Sequence, residues 1–201
     1  MKRRPSLINK TESLKDGTEV TIRDLTLEDL EALMKFYLAL PEEDRKYLRV
    51  DVTQKNVVKK RIKQIESGNI VRIIALIGEE IVADGALELF TEEWRKHQGE
   101  LRVIVAREHQ RKGLGMIMMR ELYFLAAQKK VEKIIVRIMR PQVAARNICR
   151  KLGFHEELVI PDYVRDIEGK EQDLIIMTCD MKEFWEELEH IYSDSDWQKR
   201  R

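Results

Sequence analysis

The sequence predicts a single α/β domain built on a mixed, mostly antiparallel sheet. Its length of 201 residues suits one domain with a small appendage. Segments with β-type patterning are interleaved with segments of helical periodicity. No linker is long enough to divide the chain. We therefore predict one domain over residues 18–181, followed by a C-terminal helix and charged tail over residues 182–201.

The N-terminal third is predicted to hold one strand and two helices. Residues 19–23 alternate in polarity, as in a half-buried strand. Thr26 is a suitable N-cap before an acidic first turn, and Pro41 ends the helix that follows. A second helix is predicted over residues 53–66, where apolar residues recur at helical spacing before Ser67 and Gly68.

The middle of the chain is predicted to form a hairpin, a third strand and a long helix. Residues 70–77 and 81–90 are β-type runs joined by a short turn that contains Gly78. Residues 100–105 form another strand. The helix over residues 113–130 carries apolar residues at a spacing of 3.6.

The C-terminal third continues the alternation of strands and helices. Residues 133–139 are β-branched, and residues 143–152 form a short helix that ends at a glycine. Two more strands, 154–159 and 173–179, lie on either side of a polar loop. An acidic helix over residues 182–192 completes the predicted elements.

Composition excludes several classes of protein. The longest apolar run is the six residues 122–127, whereas a membrane helix needs about 20. The basic N-terminus is not followed by the apolar stretch of a secretory signal. Cys149 and Cys179 are too few for a disulfide framework or a four-ligand zinc site. We therefore expect a cytoplasmic protein with no membrane association and no bound metal.

Charge is unevenly distributed along the chain. The formal net charge is +1, yet residues 101–154 contain 13 lysines and arginines and only three acids. Such an asymmetry indicates a localised site for a polyanion. The alternative is that helix surfaces in this segment are simply rich in basic residues.

One motif within this basic segment has the features of a phosphate-binding turn. A predicted strand ends near Val105, and Gly113 and Gly115 then open a helix. Glycines allow backbone N–H groups to approach a ligand, and a helix N-terminus offers unpaired donors. Arg111 and Lys112 add positive charge. The P-loop pattern is absent, and Met118 stands where a dinucleotide-binding fingerprint needs a small residue. The alternative is that the glycines serve only a tight turn.

The six residues Gln110 to Gly115, in sequence Gln-Arg-Lys-Gly-Leu-Gly, resemble the Gln/Arg-x-x-Gly-x-Gly/Ala pyrophosphate motif of the GNAT superfamily of acetyl-CoA-dependent N-acetyltransferases. The segments 100–105 and 133–139 look like the fourth and fifth strands of that family. Residues 142–154, which end in Arg-Lys-Leu-Gly-Phe, look like its fourth helix and the turn beyond.

This resemblance implies that the fourth and fifth strands splay apart, flanked by helices, and that the pantetheine arm of acetyl-CoA inserts between them. The backbone N–H groups of Val103 and Val105 would bond the pantetheine amides and polarise the thioester carbonyl. Gln142 stands where the family often has an asparagine that bonds the arm. The implied coenzyme-binding residues are Val103, Ile104, Val105, Gln110, Arg111, Lys112, Gly113, Leu114, Gly115, Met116 and Gln142.

Three residues are candidates for acid–base chemistry. An acceptor amine must lose a proton before it attacks, and a carboxylate can take that proton. Glu100 matches a glutamate that several family members carry on the fourth strand, and Glu88 is the second candidate; either could instead be an ordinary solvated carboxylate. Cys149 stands where the family often has a tyrosine that protonates the leaving thiolate. Its alternatives are packing as a small apolar residue or a redox role.

The resemblance therefore predicts an acyltransferase that moves an acetyl group from acetyl-CoA directly to a primary amine: a protein lysine, a protein N-terminus or a small amine. The chain would act as a monomer or homodimer. The six acids in the polar loops 91–98 and 161–172 would suit a cationic acceptor, unless they are ordinary loop residues. An inactive acyl-CoA sensor is the alternative function. A nucleic-acid module is disfavoured because aromatic and basic residues are not interleaved.

Overall fold

The computed structural model describes residues 8–194 and contains one eight-stranded sheet with helices on both faces. The strands are β1 (Asn9–Ser13), β2 (Glu19–Asp24), β3 (Ile70–Ile77), β4 (Glu80–Leu89), β5 (Gln98–Val105), β6 (Lys133–Met139), β7 (His155–Arg165) and β8 (Glu171–Asp180). The helices are α1 (Leu30–Ala39), α2 (Glu42–Arg45), α3 (Lys55–Lys63), α4 (Leu114–Gln128), α5 (Val143–Lys151) and α6 (Met181–Asp194). Short 3₁₀ turns precede α1, follow α3 and follow β5.

The sheet has the order β1-β2-β3-β4-β5-β6-β8-β7, and neighbours are antiparallel except for β5 and β6. These two strands are parallel and pair only from Gln98 opposite Lys133 to Glu100 opposite Ile135. Beyond that point β5 keeps its pairing with β4, and β6 keeps its pairing with β8. The predicted mixed sheet with two splayed strands is therefore confirmed.

The two faces of the sheet bury separate clusters of apolar side chains. One cluster joins α4 and α6 to strand residues such as Leu101 and Ile134. The other joins α1 and α3 to strand residues such as Ile74. Successive strand residues point to opposite faces. Glu100 and Arg102 therefore lie on the α1–α3 face, together with Ile104, which packs against that cluster.

Three features differ from the sequence-based predictions. Strand β1 was not predicted because its residues are polar, and it is held by backbone pairing with β2 along one edge of the sheet. The four-residue helix α2 follows Pro41. The prediction of a long polar loop over residues 161–172 is wrong, because β7 continues to Arg165 and β8 begins at Glu171. The pairing of β7 with β8 is irregular between Ile160 and Val164, as is usual for a proline-containing edge strand.

Within residues 8–194, no helix combines the length and apolar character that crossing a membrane requires.

Candidate functional site

The turn between β5 and α4 presents backbone donors that have no acceptor in the part of the chain that the structure describes. Gly113 has a φ of 92° and Arg111 a φ of 62°, and this left-handed backbone reverses the chain ahead of the helix. The first bond of the α4 ladder runs from the N–H of Ile117 to the carbonyl of Gly113, at 3.1 Å. The N–H groups of Leu114, Gly115 and Met116 precede that bond, so the helix itself gives them no acceptor.

The packing of the protein does not require a glycine at position 115. Its φ is outside the left-handed region, and a Cβ built there would lie 3.8 Å from Cγ2 of Val105, which is an ordinary contact. A larger residue would instead occupy space beside the free N–H groups. The residues present therefore fit a phosphate group that approaches the backbone closely.

The cations of the turn are held differently. Arg111 is exposed, and within the described residues it makes no ion pair. The Nζ of Lys112 lies 3.2 Å from Oδ2 of Asp16. The backbone N–H of Lys15 donates to the backbone carbonyl of Lys112 at 3.0 Å. The pKa of Asp16 is lowered to about 2, mainly because the Thr18 backbone donates to it, with a smaller contribution from Lys112. The β1–β2 loop therefore supports the turn.

β5 has an open edge where β6 departs. The N–H of Ala106 donates to the carbonyl of Val82 on β4, at 2.9 Å. Because backbone groups alternate between the two edges of a strand, those of Ile104 also face β4, and those of Val103 and Val105 face the opening. Gln110 is consistent with this assignment, since its Nε2 donates to the Val105 carbonyl at 3.1 Å.

Glu100 lies at the point where the two strands separate, and its carboxylate is surrounded by guanidinium groups. It is completely buried, with an exposure of 0%. Its Oε1 accepts from Arg49 and also from Nε of Arg137 at 3.2 Å, while its Oε2 accepts from Nη2 of Arg137. Nη2 of Arg102 is 3.9 Å from Oε2. Both oxygens of this carboxylate are therefore engaged.

Glu88 lies directly opposite Glu100 in the pairing of β4 with β5 and is more accessible. Its side chain is 38% exposed, and its Oε2 accepts from Arg102. Arg102 thus lies between the two carboxylates that the sequence singles out. Of the two, only Glu88 presents a carboxylate to solvent.

Two further side chains are placed by α5. Cys149 is 5% exposed, packs in the cluster that includes α4, and has its pKa raised to about 12 by burial. This environment favours the packing interpretation over proton donation. Gln142 precedes α5, and its Oε1 accepts from the N–H of Met139 at 2.9 Å.

Several residues near this site were not identified from the sequence. Arg49 lies in the segment after α2, and Arg61 lies on α3. A buried group on β3 and β4 joins Arg72 to Asp84, and the hydroxyl of Tyr37 donates to Oδ2 of Asp84 at 2.7 Å. The signal for Arg72 and Asp84 is a charged residue inside an otherwise apolar strand. Arg49 and Arg61 have no such signal, because they reach the site only through the fold.

Comparisons with known proteins agree with this geometry. The family model for the acetyltransferase (GNAT) family matches residues 30–154. Comparison with curated proteins gives no match.

Three solved structures illustrate the similarity of fold. The GNAT domain of S. lividans PAT is 16% identical, with a TM-score of 0.74 over 89% of this chain and 99% of that one. Ribosomal-protein-alanine N-acetyltransferase from Brucella melitensis is 23% identical, with a TM-score of 0.68 over 79% and 98%. The yncA protein of Salmonella typhimurium, solved with its cofactor acetyl-CoA, is 17% identical, with a TM-score of 0.68 over 81% and 94%.

At these identities the solved structures establish the shared fold, and the family match covers well over half of the chain. The predicted resemblance and fold are confirmed. The chain therefore belongs to the acetyltransferase (GNAT) family and is an acetyl-CoA-dependent acyltransferase.

Proposed function

We propose that this protein transfers an acetyl group from acetyl-CoA directly to a primary amine. The observation that carries the proposal is the continuity of two binding features. The N-terminal turn of α4 adjoins the open edge of β5, where Gln110 donates to the Val105 carbonyl, and Glu88 lies opposite Glu100 at the point where β5 and β6 separate.

The turn and the open edge are assigned to coenzyme binding. When bound, acetyl-CoA supplies an activated acetyl group as a thioester. The N–H groups of Leu114, Gly115 and Met116, with the charges of Arg111 and Lys112, bind its phosphates.

The arm of the coenzyme is assigned to β5 and α5. The N–H groups of Val103 and Val105 bind its amides and polarise the carbonyl that is attacked. Gln142 holds its Oε1 against Met139, which leaves Nε2 to donate toward the arm.

Glu88 is the carboxylate best placed to accept the proton of the acceptor amine. Amines are protonated at neutral pH, so one must lose a proton before its nitrogen bonds to the acetyl carbon. Glu88 is partly exposed, whereas Glu100 is buried and held on both oxygens. We therefore assign Glu88 as the general base and Glu100 as the residue that positions the surrounding arginines. The departing thiolate takes its proton from solvent, because Cys149 is buried.

A turnover assay with labelled acetyl-CoA and a library of amines tests this proposal. The expected result is acetylation of at least one amine, with the coenzyme released as the free thiol. Coenzyme binding by calorimetry is the companion measurement. Tight binding without transfer to any amine would instead support the acyl-CoA sensor, and absence of binding would contradict both functions.

A further inference from the structure

Near the point where β5 and β6 separate, the sheet face covered by α1 and α3 carries a group of arginines that outnumber the acids paired with them. Three arginines are paired with acids: Arg137 and Arg49 with Glu100, and Arg102 with Glu88. Arg72 pairs with Asp84 deeper in the same face. Arg61 approaches this group from α3, and within the described residues it makes no ion pair. We call these five arginines and three acids the arginine cluster.

The surplus charge of the arginine cluster is only partly exposed to solvent. Burial and repulsion by Arg102 and Arg137 lower the pKa of Arg49 to about 9. Burial and repulsion by Arg72 lower the pKa of Arg61. Among residues 8–194, the buried Nε atoms of Arg72 and Arg102 have no hydrogen-bond acceptor. Buried cations and unpaired donors are costly, and an anion bound among them would remove that cost.

The cluster lies where the two strands separate. Glu100 and Ile135 are the last paired residues of β5 and β6, and Arg137 is two positions further along β6. The side chains of Arg49, Arg102 and Arg137 remain 32%, 27% and 36% exposed, so a small ligand can reach them. An anion held there would therefore lie beside the opening through which the acetyl group is presented.

The acids expected to attract a cationic acceptor are largely engaged elsewhere. Asp166 accepts from the N–H groups of Glu168 and Lys170 within the β7–β8 turn. Glu171 pairs with Arg165 at 3.1 Å, and Glu93 pairs with Lys96 at 2.7 Å. Three of the six acids therefore have local partners, whereas the arginine cluster keeps a surplus of positive charge.

We propose that the acceptor is a small amino-acid-like molecule, in which an oxyanion lies a few bonds from the reacting amine and is bound by the arginine cluster. The inference rests on the proposed acetyl transfer and specifies its substrate class. Arg61 supplies the guanidinium that has no ion pair within residues 8–194, with Arg49 and Arg102 beside it. Guanidinium groups bind carboxylates and phosphonates through paired hydrogen bonds, so either oxyanion fits, and Glu88 remains available to the amine.

Matched acceptors test the substrate class. We would compare kcat/KM for the standard α-amino acids, their α-carboxamides and the corresponding α-aminophosphonates, with spermidine as a purely cationic acceptor. The best acid should exceed its own amide at least tenfold, and the carboxylate and phosphonate arms identify which oxyanion is preferred. Equal use of acids and amides, or preference for spermidine, would overturn the inference while leaving acetyl transfer intact.

Replacement of Arg61 tests the site. Because Arg61 makes no ion pair in the described structure, Arg61→Gln should fold normally; thermal unfolding checks this. We expect the KM for the acid to rise at least tenfold, the KM for the amide to change less than twofold, and acetyl-CoA affinity to be unchanged. Lys59→Gln, which removes an exposed charge from the same helix, is the matched control. Equal effects of Arg61→Gln on acid and amide would contradict the assignment.

A binding measurement separates this inference from the proposed function. Protein saturated with free coenzyme A is titrated calorimetrically with the same acids and amides, so no turnover is needed. Binding of an acid and not of its amide supports the inference even where transfer is slow. Failure of every acid and phosphonate to bind overturns it, whereas failure of the protein to bind coenzyme A overturns the proposed function instead.

Discussion

The two faces of the sheet around β5 present positive charge in different ways. On the α4 side, donors come from backbone N–H groups and from the exposed Arg111, and a contiguous stretch of chain supplies all of them. On the α1–α3 side, charge comes from partly buried arginines drawn from separate elements and held by acids such as Glu100. The first face suits a ligand shared by a whole family, because backbone donors depend little on side chains. The second can vary with the acceptor.

The largest expected effect is a loss of turnover on replacement of Glu88, the accessible carboxylate on the α1–α3 side. Glu88→Gln removes the proposed base while keeping the side-chain shape. Turnover should fall about 100-fold at neutral pH, about 2.7 kcal/mol in the barrier. It should partly recover as pH rises toward the pKa of the amine, because more acceptor is then already neutral.

Steady-state kinetics from pH 6 to pH 9, roughly the range below and around an α-amine pKa, provide the measurement. Acetyl-CoA affinity is the control and should not change. A Glu88→Gln profile that parallels the wild type would transfer the base role to Glu100 or to water.

The next effect is on stability and separates Glu100 from Glu88. Glu100→Gln leaves Arg49 and Arg137 without their carboxylate in a buried setting. We expect the free energy of unfolding to fall by about 2 kcal/mol, less than for a fully buried pair because both arginines are partly exposed. Glu88→Gln removes a more exposed pair and should cost less than about 1 kcal/mol. Urea denaturation of both variants checks the difference, and equal losses would refute the positioning role of Glu100.

A smaller effect is expected on the opposite face. Gly115→Val places side-chain atoms beside the free N–H groups of the turn, in space that the protein does not need for packing. Affinity for acetyl-CoA should fall at least tenfold, about 1.4 kcal/mol, as measured by calorimetry. Ala127→Val, at an exposed position on the same helix, is the control for helix propensity. Unchanged affinity in a folded Gly115→Val protein would remove the turn from the coenzyme site.

The smallest effect is expected at Cys149. If the thiol only packs, Cys149→Ala should change kcat by less than twofold at pH 7. It should lower the free energy of unfolding by about 1 kcal/mol, because a buried sulfur is lost. A large fall in kcat in a stable variant with normal coenzyme affinity would restore Cys149 as the proton donor.

The sequence predicts the features on the α4 side of the sheet better than those on the α1–α3 side. Residues 133–139 are a β-branched run, and β6 has those bounds. The turn before α4 is local, so glycines and cations at fixed spacing predict it from the sequence. The polar strand β1 was not predicted, because pairing with β2 stabilises it and its own residues show no apolar pattern. The arginine cluster escaped as well, because Arg49, Arg61 and Arg137 are far apart in the chain and meet only when α3 packs over the sheet.

The most direct test of this two-sided account is an amide NMR titration of the uniformly ¹⁵N-labelled protein with coenzyme A, followed by the preferred acceptor. The account predicts that coenzyme A shifts the N–H signals of Val103, Val105, Leu114 and Gly115 most strongly and leaves α3 nearly unchanged. The acceptor should then shift signals near Arg49 and Arg61. Coenzyme-induced shifts centred on α1 and α3, with the α4 turn unaffected, would contradict it.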